Sequence, residues 1–456
     1  MTKAAHLPTS VMLRYGIGQT GAQVFRDTPA ALIPLFMTTM LGVPAWIAGL
    51  AVLLPKLWVI ICDPLMGSLS DRWNARIGRA PFLLIGAILT SVSFTLLFWF
   101  SEFSSPMIGA AAVCLLFLLA STAFSAYSVP YLAIASELSP DPHERTKILA
   151  YRMIFTIVGV LIGVGLAQPV IFHFGGGAHG WRIMALGFGL ICLLTMLVPA
   201  LSLGKPSIGV AVEAPGIAAQ LRMAWRAKPY VTITSVNFLL SVAQAVSYTV
   251  IGFVFIYAIG NVNMILPFVV TMSLGSMISQ PIWLLLSRKY GKTPCFIGAT
   301  VAWCLLTLTW LMVHPGGPVL VHLPLWGALS VQEAGVLLRG FIIGLTNAGF
   351  ILLILSMMTD TIDQERRLTG QANEGVFSGI FSATEKLSFA IGPLIAGFVL
   401  STAGFQSSTH GVIAQSQGAV TGILLLYSVI PAGIAMLAVI VFTRYPAILR
   451  RREEMV

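Results

Sequence analysis

Asp63-Pro64-Leu65-Met66-Gly67-Ser68-Leu69-Ser70-Asp71-Arg72, closed by Arg76-Ile77-Gly78-Arg79-Ala80-Pro81, begins with a carboxylate inside an apolar run and ends in a basic loop. A weaker copy lies more than two hundred residues later, where Gln280-Pro281 stands ahead of Ser287-Arg288-Lys289-Tyr290-Gly291-Lys292-Thr293-Pro294. Arg-x-Gly-Arg-x-Pro has become Lys-x-Gly-Lys-x-Pro, and each copy joins two apolar spans. A repeated helix–basic loop–helix unit marks a chain built from two related halves.

The surrounding composition says what medium those halves occupy. Of 456 residues, 57% are hydrophobic and only 9% charged, more apolar surface than a soluble domain needs. Runs of ~20 apolar residues are long enough to cross a bilayer. Twelve are read, over 11–40, 45–69, 81–100, 106–135, 149–172, 181–203, 230–259, 262–287, 293–313, 335–359, 371–402 and 416–443. In lipid the backbone must satisfy itself, so these are helices. The expected fold is an all-α membrane protein of twelve transmembrane helices in two six-helix pseudo-symmetric bundles. The bundles cover 1–203 and 230–443, joined by a cytoplasmic linker over 204–229 and followed by a tail over 444–456.

Placing the N-terminus in the cytoplasm and alternating puts nearly all loop Lys and Arg on one side. Arg72, Arg76, Arg79, Arg145, Lys147, Lys205, Arg288, Lys289, Lys292, Arg366 and Arg367 fall there, with the tail arginines. That asymmetry is the positive-inside rule, and it predicts both termini in the cytoplasm. It also accounts for the formal charge of +10 without nucleic acid as a partner. The five cysteines lie in apolar spans without metal spacing and read as small core residues. The first span is too long for a cleavable signal and carries Arg26 and Asp27.

Ionisable groups at bilayer depth are costly and mark function. The first span puts Gln19, Gln23 and Arg26 or Asp27 at helical spacing, with a kink expected at Pro29. The second puts Lys56 and Asp63 on one face, ~10 Å apart along the axis. The fourth aligns Ser121, Ser125 and Ser128; the fifth offers Arg152. In the second half Asn237, Ser241, Gln244 and Tyr248 share a face, and the eleventh span carries Glu374, Glu385 and Lys386. A water-filled chamber would satisfy them together, whereas single Ser or Asn stripes also serve as interhelical glue.

The loops read as gates. Gly67 would allow a close helix approach, and Asp71 can accept from a neighbouring helix end or from Arg79, beside Arg72. In the second copy Arg288 stands in the place of Asp71. A fainter repeat relates Asp141-Pro142-His143-Glu144-Arg145 to Asp363-Gln364-Glu365-Arg366, close behind Asp360. Asp141 to Glu144 also reads as a capping box that starts a helix.

At these residues the chain resembles the major facilitator superfamily, and within it the glycoside–pentoside–hexuronide:cation symporters, of which the melibiose permease is one. The matching pieces are Tyr15-Gly16-x-Gly18, Lys56-x-Trp58, Asp63-Pro64-x-x-Gly67, Ser128-Val129-Pro130-Tyr131, Glu144-Arg145 with Arg152, Asp360-Thr361-Ile362-Asp363, Glu374-Gly375 and Lys386. The resemblance implies the major facilitator fold and coupled uptake of a sugar or glycoside. It implies a cation-coupling role for Asp63, Lys386 and Lys56, and sugar contact by Arg152. Gln23, Arg26, Asp27, Ser128, Asn237, Gln244, Tyr248 and Glu385 complete the candidate substrate set.

Departures shape the expectation. The relative's further acid and asparagine in the second span are Val59 and Cys62 here, too few oxygens for sodium. Protons are therefore the expected coupling ion, with sodium as the alternative and no other cofactor or metal. Gln23 and Ser128 replace two substrate-binding aspartates, which suits an anionic sugar such as a hexuronide. The expected protein is a symporter working by alternating access, monomeric, in a bacterial inner membrane, and not an enzyme. Alternatives are a lysolipid or drug carrier on the same fold, or a membrane prenyl transferase using Asp360 and Asp363.

Overall fold

The computed structural model of the chain describes residues 7–139, 142–203, 222, 224–323, 327–369 and 374–445. Each apolar run closes into helix, since inside a bilayer backbone amides have only one another as partners. The first half comprises α1 (Thr9–Met40), α2 (Ala45–Ile77), α3 (Ala80–Leu97), α4 (Pro106–Glu137), α5 (Pro142–Val160) and α6 (Ala178–Ser202). The second comprises α7 (Lys228–Phe253), α8 (Ile265–Tyr290), α9 (Lys292–Leu308), α10 (Val331–Thr369) and α11 (Glu374–Thr402). The last span is two helices, α12 (Gln417–Tyr427) and α13 (Val429–Phe442). Pro431 explains the break: it has no N–H to give, and its ring crowds the carbonyl four residues back, at Tyr427.

Eleven helices among the described residues are long and apolar enough to span a membrane. α1 has the length, at 32 residues, but its polar stripe keeps it out of that set. It passes Pro29 and Pro34 without a break in the helix.

Two compact units form, one of Met1–Val212 with Gln406–Ala414, the other of Glu213–Phe405 with Gln415–Val456. In the first, α1 packs on α5 and α6, α2 on α4, and α3 on α4 and α6. In the second, α7 packs on α11 and α13, α8 on α10, and α9 on α10 and α13. One scheme repeats the other helix for helix, as the loop repeat implied. The first core is built on Phe36, Phe98 and Trp181, the second on Phe268, Trp310 and Tyr427.

Residues 406–414 belong to the first unit although they follow α11. The Ser408 amide donates to Thr38 O (2.8 Å) and the Gly411 amide to Thr39 O (2.9 Å), while Gly42 N donates to Ser408 O. The last carbonyls of a helix have no partner within it, so this strap is the C-terminal cap of α1. A short antiparallel hairpin, β1 (Val319–Leu323) and β2 (Gly327–Ser330), leads into α10. There Ser330 Oγ accepts from Glu333 N, and Glu333 Oε2 accepts from Ser330 N at 2.8 Å, a reciprocal capping box. Asn261 donates to the other Glu333 oxygen.

The α8–α10 crossing is the tightest in the second unit. A Cβ on Gly344 would lie inside the van der Waals shell of Met272 O, and one on Gly275 inside that of Phe341 O. Ser276 Oγ donates to Gly344 O at this crossing, and Trp283 Nε1, two turns further along α8, donates to Leu345 O. Backbones meet this closely only where side chains are absent. Gly344→Ala is expected to cost about 1–3 kcal/mol through forced separation of the helices. Thermal unfolding in detergent checks this, with Gly298→Ala, whose Cβ meets nothing within 4 Å, as the neutral control.

Candidate functional site

On α1, positions four apart lie one above another, so Gln19, Gln23 and Asp27 form a line along the helix. All three are buried, at 6–7% exposure, and the helix places them against α5. Arg152 Nε donates to Gln19 Oε1 at 2.9 Å. Gln19 Nε2 donates to Gln23 Oε1 at 3.2 Å, and Gln23 Nε2 to Asp27 Oδ2 at 2.7 Å. A guanidinium ends in a carboxylate through two amides. Arg26 lies on the exposed side of the helix, so the stripe continues through Asp27.

α5 can approach this line because glycines face it. Gly159 packs against the Gln23 side chain, and Gly163 lies beneath Thr28, whose hydroxyl donates to Gly163 O at 2.9 Å. From the other side Gly16 lies under Phe155, and Thr20 donates to Phe155 O. From Leu161 to Leu166 the helix widens to π geometry, a feature common at functional sites. Next to Arg152, Tyr15 and Tyr131 stack at 4.6 Å, Tyr127 stacks on Tyr131, and Tyr131 donates to Tyr15 O at 2.6 Å. The tyrosine stack and the Gly159/Gly163 pair are parts that motif matching leaves without a role. The spacing of those two glycines, four residues apart on one helix face, is the signal that could have found the second. Ser128 is half-buried on α4 and makes no hydrogen bond among the described residues.

α2 carries its own charged face. Lys56 is half-buried with Nζ 5.7 Å from the Phe117 ring centroid, a cation–π contact with α4. Trp58 Nε1 donates to Thr122 on the same helix, and Asp63 is half-buried two turns on from Lys56. Gly67 makes no tight approach: a Cβ there would meet only Val129 Cγ1 at 3.4 Å, an ordinary contact. A tight approach to the α4 backbone lies instead at Gly86 on α3, where a Cβ would crowd Tyr127 N.

Where the loop begins, Arg79 is buried and folds back, donating to Asp71 Oδ1 at 2.8 Å and to Ser70 Oγ at 2.7 Å. Asp71 is 60% exposed, so the ion pair itself adds little stability. The buried Arg79–Ser70 bond fixes the loop; Arg72 points outward. In the second unit Lys292 donates to Asp360 of α10, and Asp363 is exposed. Both loops turn at a glycine of positive φ, Gly78 at 73° and Gly291 at 88°. Counted from that glycine, the equivalent of Asp71 is Leu284, not Arg288, because Pro281 stands ten residues before its glycine and Pro64 fourteen. The cation of the second loop therefore takes an acid from the next helix.

Glu144 is buried; it accepts from Ser139 Oγ at 2.8 Å and from Leu7 N at 2.9 Å, which ties the residues just before α1 to α5. The side chains of Arg145 and Glu374, and residue Asp141, lie outside the described residues. In the second unit Asn237, Gln244 and Tyr248 are half-buried on α7, Tyr248 with its ring 6.4 Å from Phe389. Glu385 is half-buried and Lys386 exposed on α11. Ser388 donates to Phe238 O, joining these two helices as Thr28 joins α1 to α5. Among the described residues no three His, Cys, Asp or Glu side chains converge as a metal site would require.

Comparison with known proteins gives this geometry a setting. Residues 14–447 match the family model described as MFS/sugar transport protein. The chain is similar to the isoprimeverose transporter of Lactiplantibacillus pentosus, 22% identical over 96% of this chain and 89% of that protein. It is similar to a glucuronide carrier protein homolog of Escherichia coli, 24% identical over 97% and 93%. A sphingosine-1-phosphate transporter of Xenopus tropicalis is 24% identical over 96% and 88%. In fold it is similar to the nucleoside transporter NupG, with a TM-score of 0.63 at 13% identity over 96% of this chain and 99% of that one.

Proposed function

The chain belongs to the MFS/sugar transport protein family, and from that premise we propose that it carries a sugar or glycoside across the bacterial inner membrane by proton symport and alternating access. The observation that carries this reading is the hydrogen-bonded line from half-buried Arg152 to buried Asp27. Spanning helices gain nothing in stability from two buried amides, a buried carboxylate and a half-buried guanidinium, so their presence points to a hydroxyl-rich ligand. Arg152 and the second N–H groups of both glutamines are donors for sugar hydroxyls, and Asp27 is an acceptor.

The line balances one cation with one anion. This favours an uncharged glycoside and makes a hexuronide the anionic arm of the test. Asp63, with Lys56 and Lys386, is assigned to coupling, and Ser128, Asn237, Gln244, Tyr248 and Glu385 to substrate. The Arg79–Asp71 and Lys292–Asp360 pairs act as latches at the loop ends. The protein works as a monomer with both termini in the cytoplasm, and it is not an enzyme.

Purified protein in liposomes, given an inward pH gradient, is expected to accumulate a radiolabelled neutral glycoside and to be competed by its neutral analogues. Uptake preferring a uronide reverses the charge assignment. Uptake blocked by sphingosine-1-phosphate but indifferent to sugars supports the second reading, a lipid carrier, which the likeness to the Xenopus protein favours.

A further inference from the structure

A guanidinium only donates and a carboxylate only accepts. The two amides between Arg152 and Asp27 are therefore each held one way round, carbonyl toward Arg152 and NH2 toward Asp27. The line extends over eight residues of α1, ~12 Å of helix axis. We propose that it is a two-state amide relay: proton uptake by Asp27 reverses both glutamine amides and withdraws the acceptor from Arg152, so that the charge on Asp27 decides whether the guanidinium is held by the protein or presented to substrate.

Each step follows from donor and acceptor counting. A protonated Asp27 offers an O–H toward Gln23, whose amide turns its carbonyl to receive it. The Gln23 NH2 then faces Gln19, which turns its own carbonyl to meet it. Gln19 now presents NH2 to the Arg152 N–H, donor against donor, and the guanidinium leaves. One proton is taken from water and one O–H bond forms at Asp27; return of that proton to water restores the first state. Neither Gln19 nor Gln23 gains or loses a proton.

Other titratable groups lie on the elements packed against α1 and set the background: Arg14, Tyr15 and Arg26 on α1 itself, Lys56, Cys62, Asp63, Asp71, Arg72 and Arg76 on α2, Cys114, Tyr127 and Tyr131 on α4, Glu144, Lys147, Tyr151 and Arg152 on α5, and His179, Arg182 and Cys192 on α6. Of these, Arg152 is the group that donates into Gln19. The relay deepens the proposed symport, but its test does not depend on that reading.

The test uses the full chain in lipid, without ligand. Infrared titration is expected to show a protonated carboxyl band that Asp27→Asn removes. The 15Nε resonance of Arg152, identified by its loss in Arg152→Lys, is expected to move with the same midpoint. Gln23→Leu and the longer Gln23→Met cut the relay and touch neither charge. In both variants the Arg152 resonance is expected to stop responding to pH, while the carboxyl band remains. A wild-type Arg152 resonance indifferent to pH overturns the relay, and so does a response that survives in whichever glutamine variant unfolds at the wild-type temperature. Coupled titrations in a protein that accumulates no sugar under a pH gradient keep the relay and remove the symport reading.

Discussion

Arg152→Ala is expected to lower sugar uptake at subsaturating concentration by about 10- to 150-fold, from the ~1.5–3 kcal/mol of a hydrogen bond to a charged group. The argument rests on what the side chain touches. Arg152 Nε holds the Gln19 carbonyl, and through it the orientation of Gln23 and Asp27. Its removal takes the anchor from the line and, on the proposed role, a donor from the sugar. Arg152→Lys keeps the charge but loses the planar fork, and a point charge does not hold an amide in one orientation as well. Its expected uptake is intermediate, with the loss in apparent affinity and not in maximal rate. A structural role alone would lower the unfolding temperature of the alanine variant and leave its affinity at wild-type level. Unchanged kinetics in both variants would remove Arg152 from the substrate site.

The parts legible in the sequence are those with short-range periodicity. Gln19, Gln23 and Asp27 repeat every four residues, so a single helix suffices to align them. Arg152 has no such signature: 133 residues separate it from Gln19, and only the packing of α5 on α1 joins them. Likewise the Lys292–Asp360 pair has no local signature, since 68 residues separate its partners. The Gly78 and Gly291 turns, where a positive φ is required, give the register that puts Leu284, not Arg288, at the position of Asp71. The cap on α1 from residues 406–414 was unreadable for another reason: its bonds to Thr38, Thr39 and Gly42 are made by main chain, which any sequence carries. The break at Ser428 was readable in principle from Pro431, yet Pro29, Pro34, Pro55 and Pro64 sit within unbroken helices. Neighbouring helices can satisfy what a proline frees, so position alone does not separate these cases.

Asp63→Asn is expected to abolish accumulation against a gradient while exchange of internal for external sugar continues. Asn keeps the volume of Asp and its capacity to accept hydrogen bonds, but it takes up no proton. Asp63 stands half-buried on α2 beside Cys62 and one turn from Val59. A hard cation such as sodium gathers several oxygens, and that turn of α2 offers one carboxylate. A proton needs no more than that. With one proton per sugar, a gradient of one pH unit supports about a tenfold internal excess, since ~1.4 kcal/mol corresponds to a factor of ten. The wild-type protein should approach that ratio, and Asp63→Asn should settle near equal concentrations inside and out. Asp27→Asn separates the two carboxylates. If Asp63 carries the coupling proton and Asp27 governs Arg152, Asp27→Asn should weaken apparent affinity and still permit a residual excess. Retained tenfold accumulation in Asp63→Asn, with collapse in Asp27→Asn, would transfer the coupling role from α2 to α1.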